Sequence, residues 1–154
     1  MLLGWAGHWR GSNATSETVI CPLSYERRLP LEQVCSRGYT VANSPLNTFF
    51  AVDLLHRIFH VPVISEGVVE HYAEDYAGVL ELAETNSTYA VRDTDALQYF
   101  AIDAYAYDIV VTGVGCTGEL EEAETSSAAA TPTATPPAST AAAAAAVSLR
   151  SYSS

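Results

Sequence analysis

Beyond Cys116 the sequence changes character, and that change bounds what the chain can fold into. Of the 32 residues from 123 to 154, 27 are Ala, Ser, Thr or Pro. Such a segment carries too little bulky apolar surface to offset the entropy of ordering it. A disordered tail is therefore expected over 121–154 and a folded domain over 1–120. The Ser/Thr-plus-Pro composition is also that of an O-glycosylated stalk. The end, Ser148 to Ser154, is too polar for a lipid-anchor signal. A domain of this size buries roughly 65% of its unfolded surface, enough for one small core.

The 154 residues carry 18 acids against 7 bases, all of the latter Arg, for a net charge of −11. This argues against nucleic acid and anionic membrane as partners and is compatible with cations. No stretch reaches the ~18 apolar residues of a membrane span. The first five residues are too short for a signal peptide and lack its charged start. The expectation is an acidic domain that is N-terminally truncated. Two sequons, at Asn13 and Asn86, are glycan acceptors and point to secretion. Disulfides are then permitted. Cys21 and Cys35 could close a short loop, leaving Cys116 as an odd thiol.

The periodicity predicts an α+β domain, mainly helical. Residues 17–20 read as a strand and 24–29 as a helical turn stopped by Pro30. Ser44 and Pro45 read as the start of a helix that runs through Phe59. A second helix fits 68–83, with His71 and Asp75 at one edge of its apolar stripe. A third fits 93–108, capped by Asp93 or Thr94, with Leu97, Phe100, Ala101 and Ala104 inward.

His56-Arg57-Ile58-Phe59-His60 is the pattern with the most chemistry in it. Residues i and i+4 of a helix lie on one face, so two imidazoles there can converge on one ion. His71 follows eleven residues after His60, past a turn at Pro62 and Gly67. Three imidazoles and a water would complete a tetrahedral Zn²⁺ site. Arg57 stands where a zinc peptidase of the H-E-x-x-H pattern has Glu, the base for the metal-bound water. Arg cannot take that proton, and its simplest partner is Asp53, four residues earlier. Asp75, Glu74 and Glu70 are weaker alternatives as a base, a fourth ligand, or a carboxylate orienting His71. His8, between Trp5 and Trp9, reads as structural, and Tyr99, Tyr105 and Tyr107 as core or surface contacts.

Several separate motifs occur in an order that resembles the fungal H-R-x-x-H family of peptidase-like proteins. They are Ile20-Cys21-Pro22-Leu23-Ser24-Tyr25-Glu26-Arg27-Arg28, then Cys35-Ser36-Arg37-Gly38-Tyr39-Thr40-Val41-Ala42. Asp53-Leu54-Leu55-His56-Arg57-Ile58-Phe59-His60-Val61-Pro62 and Val69-Glu70-His71-Tyr72-Ala73 follow. The resemblance continues through Gln98-Tyr99-Phe100-Ala101 to Gly115-Cys116-Thr117-Gly118. That family includes zincophores, pH-regulated antigens and Aspergillus allergens, and is similar to the aspzincin (deuterolysin) metallopeptidases. The resemblance implies a zincin-like fold and a three-His site of His56, His60 and His71. It further implies a catalytically inactive peptidase homologue that scavenges zinc outside the cell or in the cell wall and passes it to a cell-surface zinc transporter. Two other readings stand beside it: an active zinc metalloendopeptidase using another carboxylate, and a cell-wall structural or adhesion glycoprotein.

Overall fold

The structure, a computed structural model, describes residues 5–120. The chain divides into one compact unit, Met1–Glu122, and a second, Ala123–Ser154. The tail expected over 121–154 lies outside the described residues. The described part is α+β, about half helical rather than mainly so, with a two-stranded sheet.

That sheet is an antiparallel hairpin. Strand β1 (Gly7–Trp9) pairs with β2 (Thr18–Ile20), with His8 opposite Val19. The expected strand over 17–20 is β2. Its partner β1 is three residues long and has too little alternation to be read from sequence. Helix α1 (Pro22–Arg27) follows directly, with Pro22 at its first turn, where a missing N–H costs nothing.

Helix α2 (Phe50–Phe59) begins later than the Ser44-Pro45 signal predicts. A 3₁₀ turn, Leu46–Thr48, intervenes, and Phe49 is extended. Pairing with a remote segment holds it so: Leu29 N donates to Thr48 O, and Phe50 N to Leu29 O, at 2.9 and 3.0 Å. Ser44 Oγ meanwhile accepts from Thr40 N and caps no helix. His60 is the C-cap of α2, and Pro62 opens a short helix α3 (Pro62–Ser65).

The second expected helix is displaced in the same way. Helix α4 spans Tyr76–Thr85, not 68–83, and Asp75 is its N-cap. Glu66 and Gly67 turn the chain through positive φ, and Glu70 then bridges to Asp93 in parallel. Backbone bonded to a neighbouring segment cannot also close helical turns. After the short α5 (Ser87–Ala90), helix α6 (Thr94–Tyr105) carries the Asp93 cap that the sequence predicts.

The inward face of α6 is not the expected one. Thr94, Gln98, Tyr99 and Ile102 are buried, whereas Phe100 is 74% exposed. Hydrophobic periodicity misses a face whose buried polar groups are all bonded. Val34, Tyr39, Val41, Phe49, Val52 and Ile102 are the centre of the core.

The disulfide joins Cys35 to Cys116, and Cys21 is a free thiol. The expected Cys21–Cys35 loop is not formed. Val41 N and Ala42 N donate to Cys116 O and Thr117 O, so the end of the domain is laid beside residues 41–42. That long-range pairing, invisible to spacing, chooses the partner of Cys35.

Candidate metal centre

Helix α2 presents two different faces. On one, Arg57 is buried. Its Nη2 pairs with Asp53 Oδ2, and its Nε donates to the Asp53 backbone oxygen at 3.1 Å. Nη1 donates to Val19 O on β2, and Nη2 to Ser24 Oγ on α1. Arg28 reaches the other oxygen of Asp53 at 3.3 Å. The guanidinium thus ties α2 to the hairpin and α1. It fills the space above Gly7, where any Cβ would overlap it and the Val19 carbonyl oxygen. The Asp53 partner expected for Arg57 is the one present.

The other face carries the histidines. His56 lies in the last turn of α2 and His60 caps it, so both stand at the end where the helix dipole favours a cation. His71 arrives from the loop before α4. Its Nε2 is 3.2 Å from His60 Nε2, which is 3.3 Å from His56 Nε2. The three ring centroids form a nearly equilateral triangle with sides of 4.9, 5.1 and 5.1 Å. The donor atoms all lie within 4.8 Å of one another, close enough for one metal ion to touch all three.

Supports for this cluster come from the start of α6. Asp93, fully buried, accepts from Tyr72 N at 2.7 Å and Ala73 N at 3.0 Å through one oxygen. Its second oxygen accepts from Ala96 N at 2.7 Å. One carboxylate therefore caps α6 and fixes the backbone beside His71. Glu70 adds two backbone bonds, to Arg92 O and from Thr94 N. Behind the rings, Gln98 Oε1 is 3.0 Å from His56 Nδ1, and Asp95 Oδ1 is 3.8 Å from His71 Nδ1.

The electrostatics suit a cation that displaces protons. Burial lowers the His60 pKa, and His56 and His71 lower it further, against an opposing pull from Glu70. Burial also raises the Asp95 carboxyl, with Asp93 adding to it and His71 and His56 opposing. A cleft of about 500 Å³ is lined by His56 together with Asp53, Glu74, Asp75, Asp95 and Gln98.

The acids singled out in sequence fare differently. Asp75 does not share a helix edge with His71, because there is no helix there; its Oδ1 accepts from Gly78 N at 2.7 Å as the α4 cap. Glu74 lines the cleft, and Glu70 is fixed through its backbone. Sequence reasoning missed Asp93 as a clamp, and Asp95 and Gln98 as supports. Their one legible signal was the i, i+3 placement of Asp95 and Gln98 behind a predicted cap. His8 sits on β1 with its ring against Trp5, at 6.0 Å. Both sequon asparagines, Asn13 and Asn86, are exposed.

The fold and site define an α+β protein with a convergent three-histidine cluster, two members from an H-R-x-x-H segment and the third from a remote loop. The family model HRXXH, described as "Putative peptidase family", matches residues 2–119, and the chain belongs to that family. It is 60% identical to Antigen 1 of Emericella nidulans, over 79% of this chain and 44% of that protein. It is 58% identical to Major allergen Asp f 2 of Aspergillus fumigatus, over 77% of this chain and 38% of that protein. Identity to the pH-regulated antigen PRA1 of Candida albicans is 55%, over 75% and 39% respectively. The chain therefore spans less than half the length of these relatives. No solved structure gives a significant match.

Proposed function

We propose that the chain is a zinc-binding protein of the cell exterior, built on a zincin-like, peptidase-derived scaffold that has lost its base. The observation that carries this reading is the spacing of the imidazole nitrogens, 3.2 and 3.3 Å. Two nitrogens bound tetrahedrally at about 2.0–2.1 Å from zinc lie about 3.3–3.4 Å apart. His56, His60 and His71 would hold the ion and leave a fourth position for water or another donor.

Arg57 supports the non-catalytic half of the reading. It occupies the sequence position of the peptidase Glu, and its side chain is bonded into the scaffold through Asp53, Val19 and Ser24. A group so held neither reaches a metal-bound water nor accepts its proton. Binding without hydrolysis is the use such a site retains, and capture of zinc for a cell-surface transporter is the role that fits. The net charge of −11 favours an approaching divalent cation. Relatives named as antigens and an allergen support placement outside the cell or at its surface, as do the exposed sequons.

Calorimetric titration of the metal-free protein with zinc tests this. One site per chain, lost in His60→Ala, is expected; no binding, or binding indifferent to His60→Ala, refutes it. A second reading, an active metalloendopeptidase, draws on Glu74, which lines the same cleft as His56. It requires chelator-sensitive cleavage of a protein substrate that Glu74→Gln abolishes.

A further inference from the structure

One turn of α6 stands behind two of the three imidazoles. Gln98, on its inner face, is 1% exposed. Its Nε2 donates to Val52 O at 2.9 Å, and its Oε1 faces His56 Nδ1 at 3.0 Å. The amide has one orientation that satisfies both neighbours. Turned over, Oε1 would face the Val52 carbonyl, and two acceptors cannot bond each other. With Oε1 toward His56, the hydrogen of the neutral ring must sit on Nδ1, because a neutral imidazole has a single N–H. Nε2 is then a lone pair aimed at the cluster.

We infer that Gln98 is a positioning residue that locks His56 in its Nδ1–H tautomer, presenting Nε2 to a divalent metal ion. This rests on reading the cluster as a metal site. Asp95 lies three residues before Gln98 on α6, but its Oδ1, at 3.8 Å from His71 Nδ1, is beyond hydrogen-bond reach and fixes no tautomer there. Among the described residues His60 Nδ1 has no such partner. The lone pair of His56 faces His60 Nε2 at 3.3 Å. In the metal-free protein His60 therefore carries its hydrogen on Nε2. His56 is set in advance, and His60 must change tautomer when metal enters.

The test is a long-range proton–nitrogen NMR spectrum of the ¹⁵N-labelled, metal-free full chain above pH 7.5, with zinc titrations alongside. The wild type is expected to show Nδ1–H at His56 and Nε2–H at His60. Gln98→Leu keeps the size and removes the acceptor. His56 should then populate both tautomers, and the zinc Kd should rise roughly 10- to 100-fold, the usual effect of losing such a partner. Gln98→Glu, its buried carboxyl protonated, keeps an acceptor toward His56 and a donor toward Val52 O, and should hold the His56 tautomer with Kd within a few-fold of wild type. An Nε2–H tautomer at His56 in the wild type would overturn the inference. So would equal loss of zinc affinity in the Leu and Glu variants, since that marks Gln98 as packing alone. Should the Leu variant not fold, the wild-type spectrum and the Glu variant still decide. A wild type that shows the tautomer pattern yet binds no zinc would refute the metal reading and leave the tautomer lock standing.

Discussion

Helix α2 and the segment 68–75 supply the same cluster by opposite means. On α2, His56 and His60 meet because a helix repeats nearly every 3.6 residues, a local cause that needs no other part of the chain. Segment 68–75 has no helix of its own. His71 is set by bonds to residues twenty or more positions away, chiefly from Asp93. Even α2 is only half local. Its Arg57 face is bound to the hairpin and α1, and that attachment aims its histidine face at the loop. A convergent pair can be written in five residues; a third member needs a scaffold to deliver it.

The two regions should break differently. Arg57→Glu should have the largest effect, because it sets two acids side by side in a buried spot and leaves Asp53 with Arg28 alone. Loss of one partner of a buried pair costs about 3–5 kcal/mol. Chemical denaturation should show that loss, and no peptidase activity should appear. Arg57→Met, which removes the charge but keeps the bulk, should cost less.

His60→Ala acts on the other face and should leave the fold largely intact. Zinc sites of 10–16 kcal/mol shared among four ligands give about 3 kcal/mol each, so Kd should rise roughly 100-fold or more. Calorimetry reads this directly. A wild-type Kd would show that the helical pair does not share one ion.

Asp93→Ala tests the loop. It removes the α6 cap and strands Tyr72 N and Ala73 N, at about 2–3 kcal/mol together. Thermal unfolding of the metal-free protein should show this, and zinc affinity should fall although no ligand has been touched. Unchanged affinity would mean that His71 is positioned by something other than Asp93.

The smallest effect is that of pH. The folded His60 pKa lies below its ordinary 6.5. Below pH 6.5 the unfolded chain therefore binds a proton that the fold resists, and stability falls as pH drops. Above 6.5 the term vanishes. Denaturation midpoints at pH 7.5 and 5.5 should differ in that direction, and less so in His60→Gln. Zinc binding should weaken over the same interval as protons compete for the rings.

What the sequence determined by itself is local or compositional. It includes the change of composition after Cys116, the helical pair His56 and His60, the Asp93 cap, and the Asp53 partner of Arg57, four residues away. Each follows from a spacing of four residues or fewer, or from a count. Tertiary structure alone decided the rest. Pairing with Leu29 moved the start of α2, and pairing with residues 92–94 moved the start of α4 and made Asp75 a cap. Cys35 took Cys116 rather than Cys21 because residues 41–42 are bonded beside it. Gln98 became buried because one acceptor, Val52 O, and one ring nitrogen, His56 Nδ1, awaited it on α2. A backbone group bonds whatever neighbour satisfies it, and a neighbour from a distant part of the chain leaves no mark in the local pattern.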